Sequence, residues 1–401
     1  MLATVRELAA DRYAGRRVGT PGGRAAATWL AGRLGELGAE AELIGFPVSG
    51  VRELYGTPEL HWRAEGQPRR LEHRRDFVEH LASAELPMAR TAPLATIEDA
   101  DLRGRWVLVA AERLGQACER AVAGQAAGIL TARGTDAEGW MPKMIAGPAV
   151  QPVPILALRT DLHQHLADVF RDTAVEVSAS MPLRVVSADG VNVVGRLPGQ
   201  ARPDGGTGEE PTRVLLTAHF DGVGDDPARR LPAAADNASG VAVVLEVARA
   251  LVTAGIPEGL DVRVALLDGE EAGARGSAHH AAAVPADTLV INIDGAARLH
   301  EAASVEAGGP AHVLLSAVDQ AARVTGVPLR AGAMASDNRR YAAAGLAAIG
   351  IGMGMPGYQT PAETPERVEA DTLLAAARLL TATVLELASL GRTSATRSSR
   401  H

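Results

Sequence analysis

The chain opens with apolar residues spaced for helices. Trp29, Leu30, Leu34 and Leu37 recur on one face, which predicts a helix over 22–37 that stops at Gly38, and residues 3–12 read as a shorter helix before it. Gly19-Thr20-Pro21-Gly22-Gly23 between them is a turn. From about 51 to 185 the texture changes. Short β-like segments, Trp106–Ala110, Gly128–Thr131 and Val153–Ala157, alternate with short helical pieces, and connectors such as Ala146-Gly147-Pro148 separate them. From 186 onward apolar runs return as Val191–Gly195, Arg213–Thr217, Asp261–Leu267, Thr288–Ile293 and Ala347–Ile351, alternating with longer helices, Ser239–Leu251 and Ala311–Thr325. Runs that are apolar throughout predict strands covered on both faces, hence a doubly wound, mostly parallel α/β sheet flanked by helices. Pro203–Pro211 reads as a Gly-rich surface loop, and no internal repeat is present. The expected organisation is a helical lead-in over 1–50, a smaller β-rich insertion over 51–185, the main domain over 186–391 and a flexible tail over 392–401.

Composition narrows the picture. A chain of 401 residues, 47% of them hydrophobic, exceeds one ordinary core and can fill two. The net charge of −8 comes from well-mixed acidic and basic residues, and no long basic run marks a nucleic-acid partner. The densest basic cluster, Arg69, Arg70, His73, Arg74 and Arg75, reads as a solvated face. Lys143 is the only lysine and Cys118 the only cysteine, so no disulfide forms within the chain; Cys118 lies in an Ala-rich helical stretch and reads as a small core residue. The N-terminus lacks a basic segment followed by an apolar one, and no uninterrupted apolar stretch approaches the ~18 residues of a membrane span. A cytoplasmic location without a membrane partner is the expectation.

The chemistry gathers after the strands of the third region, where ligands collect in open α/β sheets. His219-Phe220-Asp221 follows one strand, Gly269-Glu270-Glu271 another and Asp294 a third, while Asp236-Asn237-Ala238-Ser239-Gly240 opens a helix. Each piece alone is weak. A His-X-Asp triplet is common, Asp236 could simply cap its helix, and paired glutamates usually face solvent. Together they bring one imidazole and several carboxylates to one sheet edge, and buried carboxylates need a cation or hydrogen bonds to offset desolvation. Histidine with carboxylates suits zinc or a similar divalent ion.

In order and local motif these segments resemble the clan MH metallo-aminopeptidases, a group that includes bacterial leucyl aminopeptidase, glutamate carboxypeptidase, glutaminyl cyclase and the transferrin receptor. The resemblance rests on Asn192-Val193-Val194-Gly195, Ala218-His219-Phe220-Asp221, Asp236 to Gly240, Gly269-Glu270-Glu271 with Gly276-Ser277, Asn292-Ile293-Asp294, Ser336-Asp337 and Tyr358, and on Gly15-Arg16 with Gly19-Thr20-Pro21-Gly22 in the lead-in. Asp101 to Val109, Ala126 to Ile129 and Val153-Pro154-Ile155 resemble a protease-associated domain, a common insertion in that family. The resemblance implies roles. His219 and Asp294 would bind a first metal, Asp236 would bridge to a second, and Glu271 would bind the second. Glu270 would be the general base toward a metal-activated water, Asp221 would orient the imidazole, and Tyr358 would donate to the developing oxyanion. A cis peptide is implied at Asp236–Asn237. The substrate class would be a peptide or an amide-containing small molecule, and the cofactor zinc, one ion or two.

The pattern breaks on the second-metal side. Gln359 stands where the family places its last ligand histidine, Glu363 where it places an aspartate, and Asn338 where a histidine often follows Ser336-Asp337. A neutral amide oxygen with Asp236 and Glu271 makes an all-oxygen set, better suited to a harder cation. Three outcomes stay open: one zinc at the first site, two ions with the second weak or of another kind, or a binding scaffold without catalysis. No other histidine is an obvious replacement. His279 and His280 read as surface residues, and His300 is a poor substitute.

Overall fold

The computed structural model describes residues 1–199 and 210–398. Apart from residues 210 and 211, the expected loop Pro203–Pro211 lies outside them, as do residues 399–401 of the expected tail. The chain divides into two compact units. One comprises Met1–Val48, Ala188–Asp225 and Arg230–His401; the other comprises Ser49–Ser187 and Asp226–Arg229.

The first unit is α/β. Its mixed sheet runs Glu40–Leu54, Leu183–Arg196, Leu260–Leu267, Thr212–His219, Leu289–Ile293, Ala347–Gly352, Ala303–Gly308 and Leu329–Ala331 in spatial order. The four strands from Leu260–Leu267 to Ala347–Gly352 are mutually parallel, with antiparallel neighbours on either side. Four of the five apolar runs form these strands, and the fifth, Val191–Gly195, lies in the antiparallel neighbour Leu183–Arg196. Val214, Leu216, Val262, Val264, Leu266, Ile291 and Ile349 are buried in one core with the helices Pro21–Glu36, Ser239–Ala254, His312–Thr325 and Ala370–Ser398. Each buried Val, Leu or Ile contributes about 1.5–3 kcal/mol. Thr20 caps the helix Pro21–Glu36, its hydroxyl accepting from the Gly23 N–H at 3.1 Å, with proline at the first helical position as expected of a strong start.

Two expectations change. The final helix runs on to Ser398, through residues read as a tail: Gly391 weakens it, but no proline follows to end it. Two helical stretches, Ala234–Ala254 and Ala370–Leu390, do reach the length and apolarity of a membrane span, and with 67% and 50% of those windows buried they serve as core helices.

The second unit has its own eight-stranded sheet, ordered Gln67–Arg70, Leu60–Ala64, Val175–Met181, Leu86–Thr96, Trp106–Leu108, Gly128–Arg133, Ile155–Arg159 and Phe77–Glu79. Phe77, Leu94, Trp106, Leu130 and Leu156 fill its core, and Cys118, on the helix Leu114–Ala123, is buried in a smaller cluster. The basic cluster read as a solvated face is in part the reverse. Arg74 is fully buried and bonds Glu79 (2.7 Å) and Asp226 (2.7 Å), and His73 is buried against Glu79 at 3.0 Å. The carboxylate partners lie outside the basic run, so the run alone does not distinguish a paired charge from a hydrated one.

Candidate metal centre

Strand register brings the chemistry together. His219 pairs with Leu267 and Thr217 with Asn292 across parallel neighbours, so three strands finish level. His219 ends one strand, Glu270 and Glu271 follow Leu267 after a short turn, and Asp294 follows Ile293 directly. Asp236 arrives on the turn before the helix Ser239–Ala254, and the Asp236–Asn237 peptide is cis. Asp236 does not cap that helix. Asn237 does the stitching: its Oδ1 accepts from Gly240 N (2.9 Å) and Gly295 N (3.1 Å), and its Nδ2 donates to Ile293 O (2.9 Å). The loop bearing Asp236 is thereby tied to the loop bearing Asp294. Gly240 is required there, because a Cβ would lie 2.3 Å from Asn237 Oδ1 and 2.7 Å from Ile293 O.

His219 Nε2 lies 3.0 Å from Asp236 Oδ1 and 3.3 Å from Asp294 Oδ1. One ligand atom from each of these buried residues falls within 4.8 Å of the others. On its far side the imidazole meets Asp221, Nδ1 lying 3.2 Å from the backbone oxygen and 3.4 Å from Oδ1. The Asp221 carboxylate also accepts from Glu270 N (3.0 Å) and Glu271 N (3.2 Å), so one side chain orients both the imidazole and the glutamate turn. Gln359 Nε2 donates to Glu271 Oε2 at 2.5 Å, leaving Glu271 Oε1 and Gln359 Oε1 buried without a hydrogen-bond partner. Glu363 holds this corner from behind, accepting from Asp236 N (2.5 Å) and Gln359 N (2.7 Å). Asp236, Glu270, Asp294 and Tyr358 line one cavity of about 320 Å³.

The electrostatics are those of a site short of positive charge. Burial, reinforced by Asp236 and Glu270, holds the Glu271 carboxyl well above the usual range. Burial and the charge of Asp236 do the same to Glu363. Burial raises Asp236 too, against the pull of His219. Burial alone would lower His219, but Asp294 together with hydrogen bonds to Asp221, Asp236 and Asp294 lifts its pKa well above normal. The imidazolium then stands in for a cation the carboxylates lack. A histidine nitrogen, two carboxylates within a few ångströms and a neighbouring unpaired carboxylate oxygen fit a divalent ion of the zinc type.

Beneath the site lies a residue whose role the motif reading left unassigned. Arg16 is fully buried and donates to the backbone oxygens of Leu8 (2.5 Å), Phe220 (2.7 Å), Pro232 (2.9 Å) and Ala233 (2.7 Å). It therefore joins the segment leaving His219 to the one arriving at Asp236. Burial lowers its pKa to about 10 against the raising effect of Glu363, Asp221, Asp236 and Glu271, so it stays charged. Gly15-Arg16 was visible as a motif, but four carbonyl partners distant in sequence leave no local signal.

His300 and His279 contribute no ligand to the cluster. His279 is exposed and stacks on Phe46. His280 is a correction: it is buried, with Nδ1 2.8 Å from the Tyr341 hydroxyl, and burial lowers its pKa to about 4. Its helix turns this side chain inward, where neutral imidazole satisfies a tyrosine.

Residues 192–384 match the model of peptidase family M28. Comparison with curated proteins finds no match. Among solved structures, a zinc aminopeptidase from Bacillus subtilis superposes with a TM-score of 0.71 at 20% identity, covering 96% of this chain and 93% of that one. An aminopeptidase from Aneurinibacillus sp. strain AM-1 gives 0.69 at 19% identity, covering 97% and 92%. A peptidase M28 precursor from Shewanella amazonensis gives 0.69 at 18% identity, covering 96% and 92%. At such identities the likeness is one of fold.

Proposed function

We propose, from the match of residues 192–384 to the model of peptidase family M28, that the protein is a metal-dependent amide-bond hydrolase of the aminopeptidase type, acting on short peptides or amide-containing small molecules. The observation that carries the reading is the convergence of His219 Nε2, Asp236 Oδ1 and Asp294 Oδ1, with the two aspartates lining a cavity together with Glu270 and Tyr358. These three residues would hold a zinc ion. Bound there, zinc lowers the pKa of water from about 15.7 towards ~7 and polarises the scissile carbonyl.

The remaining roles belong to the chain. Glu270, fixed at its backbone N–H by Asp221, takes a proton from the attacking water and returns it to the leaving amine. Burial holds its carboxyl well above the usual range, against the pull of His219 and with support from Asp337, Asp294 and Asp236, which suits a group that must both accept and release a proton. Burial and then the acidic neighbours push the Tyr358 phenol up, so it remains protonated and can donate to the oxyanion as charge develops. The carboxylate surplus attracts a substrate α-ammonium, favouring attack on the first peptide bond over internal cleavage. The inserted unit is read as a domain of the protease-associated type.

Gln359 alters the second position. Its amide N–H occupies Glu271 Oε2, where a second cation would otherwise draw on that oxygen. We therefore read the centre as holding one ion firmly, with the second position closed or weak. The same contact supports the competing reading, a scaffold that binds but does not hydrolyse. Turnover of leucine p-nitroanilide and leucyl peptides by the zinc-loaded protein tests this. A hydrolase loses about 10²–10⁴-fold in kcat on Glu270→Gln while retaining its metal; a scaffold shows no turnover to lose.

A further inference from the structure

The cavity at the metal centre carries an asymmetry that the hydrolytic chemistry does not use. Asp236, Glu270 and Asp294 line one part, and a guanidinium, that of Arg330, lines another. Arg330 is the only basic residue among the described lining residues. It lies on the edge strand Leu329–Ala331, directly across from Ser304 on Ala303–Gly308. Its Nε donates to Ser304 Oγ at 3.1 Å. Among the described contacts its two Nη groups have no partner, and no carboxylate lies within ion-pairing distance of it.

One hydrogen bond to Nε leaves the forked end of a guanidinium oriented and free, the arrangement that receives a carboxylate through two parallel N–H donors. The cavity, about 320 Å³, is small and has Met334 and Met355 among its walls. Resting on the hydrolase reading, we propose that Arg330 is a specificity determinant: the protein selects small substrates that carry a carboxylate, bound by Arg330, as well as the α-amino group drawn to the acidic end. That carboxylate has two sources, the C-terminus of a dipeptide or an acidic side chain. Substrates lacking one leave Arg330 hydrated and gain nothing from it.

Binding rather than turnover tests this, so that failure of hydrolysis cannot mask the result. In the zinc-loaded full chain carrying Glu270→Gln, calorimetry compares Leu-Gly, Leu-Gly-amide and Glu-Gly-amide, with and without Arg330→Gln. The expected result is that Leu-Gly or Glu-Gly-amide binds about tenfold tighter than Leu-Gly-amide, as a well-oriented charge-assisted pair allows. Arg330→Gln should abolish that preference and leave Leu-Gly-amide within about twofold, while Arg330→Lys retains part of it. The ligand that gains identifies the source. Equal affinities, no binding of any of the three, or a uniform loss on Arg330→Gln would overturn the proposal. Turnover of Leu-Gly and Glu-Gly-amide by the parent protein is measured alongside: its absence with the binding preference intact would sink the hydrolase reading and spare this one.

Discussion

Each of the two units buries a knot of ionisable side chains, and they meet the cost of burial in opposite ways. In the inserted unit Arg74 bonds Glu79 and Asp226, Lys143 reaches Asp226 at 3.3 Å, and His73 reaches Glu79. Cations match anions. Burial alone would raise Glu79, but Arg74 and His73 bring its carboxyl down to about 2, and Arg74 likewise lowers Asp226. In the other unit Asp236, Glu270, Glu271, Asp337 and Glu363 are all held above their ordinary values, with His219 and Arg16 the cations against them among the described residues. A balanced cluster needs nothing further and acts as a structural lock. An unbalanced one stores a demand for a cation. Counting buried charge by sign thus separates a lock from a site where counting charged residues cannot.

The largest expected effect lies at the unbalanced cluster. His219→Ala should lower the activity of the zinc-loaded protein by about a thousandfold or more, the scale of losing several kcal/mol of metal-derived stabilisation. Steady-state kinetics on leucine p-nitroanilide would measure it, with far-ultraviolet circular dichroism unchanged. Activity within tenfold of the parent would erase the distinction between the clusters.

Arg74→Met should do the opposite. It strands Glu79 and Asp226 as buried carboxylates and should cost about 3–5 kcal/mol of stability in denaturant titrations, with the metal content of the folded fraction unchanged. A neutral outcome would mean that the inserted cluster is hydrated in solution.

The pH dependence should differ in sign. Glu79 is lowered, so its contribution is present above about 4.5 and is lost as pH falls towards 2. Asp337 is raised from 3.8 to about 7, chiefly by burial, so the metal-free folded state binds the extra proton and loses stability as pH rises through that window. Asp337→Asn in chelator-treated protein should therefore flatten the decline in stability between about pH 4 and 7, by an amount on the order of 2–4 kcal/mol. Melts at several pH values would show it; a slope identical to that of the parent would contradict the reading.

The smallest expected effect sharpens the site itself. Gln359→His replaces the amide N–H on Glu271 with a ligand nitrogen and should raise the metal count from one ion per chain towards two. Metal analysis after dialysis distinguishes this from an unchanged count, which would mean that Gln359 is not what closes the second position.

Much of this was legible in the chain. The four parallel strands are largely apolar, and His219 ends one of them while Glu271 and Asp294 follow two others within four residues. The strand Ala303–Gly308 and the edge strand Leu329–Ala331 beyond it are short, the first half-buried and the second mostly exposed, so no run announced them. His73 and Arg74 misled because a basic run looks the same whether water or distant carboxylates satisfy it. One of those carboxylates, Asp226, comes from a four-residue segment that belongs with the inserted unit although the surrounding chain does not. Arg16, Asn237 and Glu363 act through backbone groups of other segments, and such contacts exist only once the chain has folded.

The most direct measurement is metal content per chain, by mass spectrometry of elements, on the purified parent and on Asp236→Asn. The expected result is one tightly held divalent ion in the parent, retained through dialysis, and none in the folded variant. A parent that folds and binds no ion when zinc is supplied, or a variant that keeps its ion, would contradict the claim that His219, Asp236 and Asp294 form a cation site.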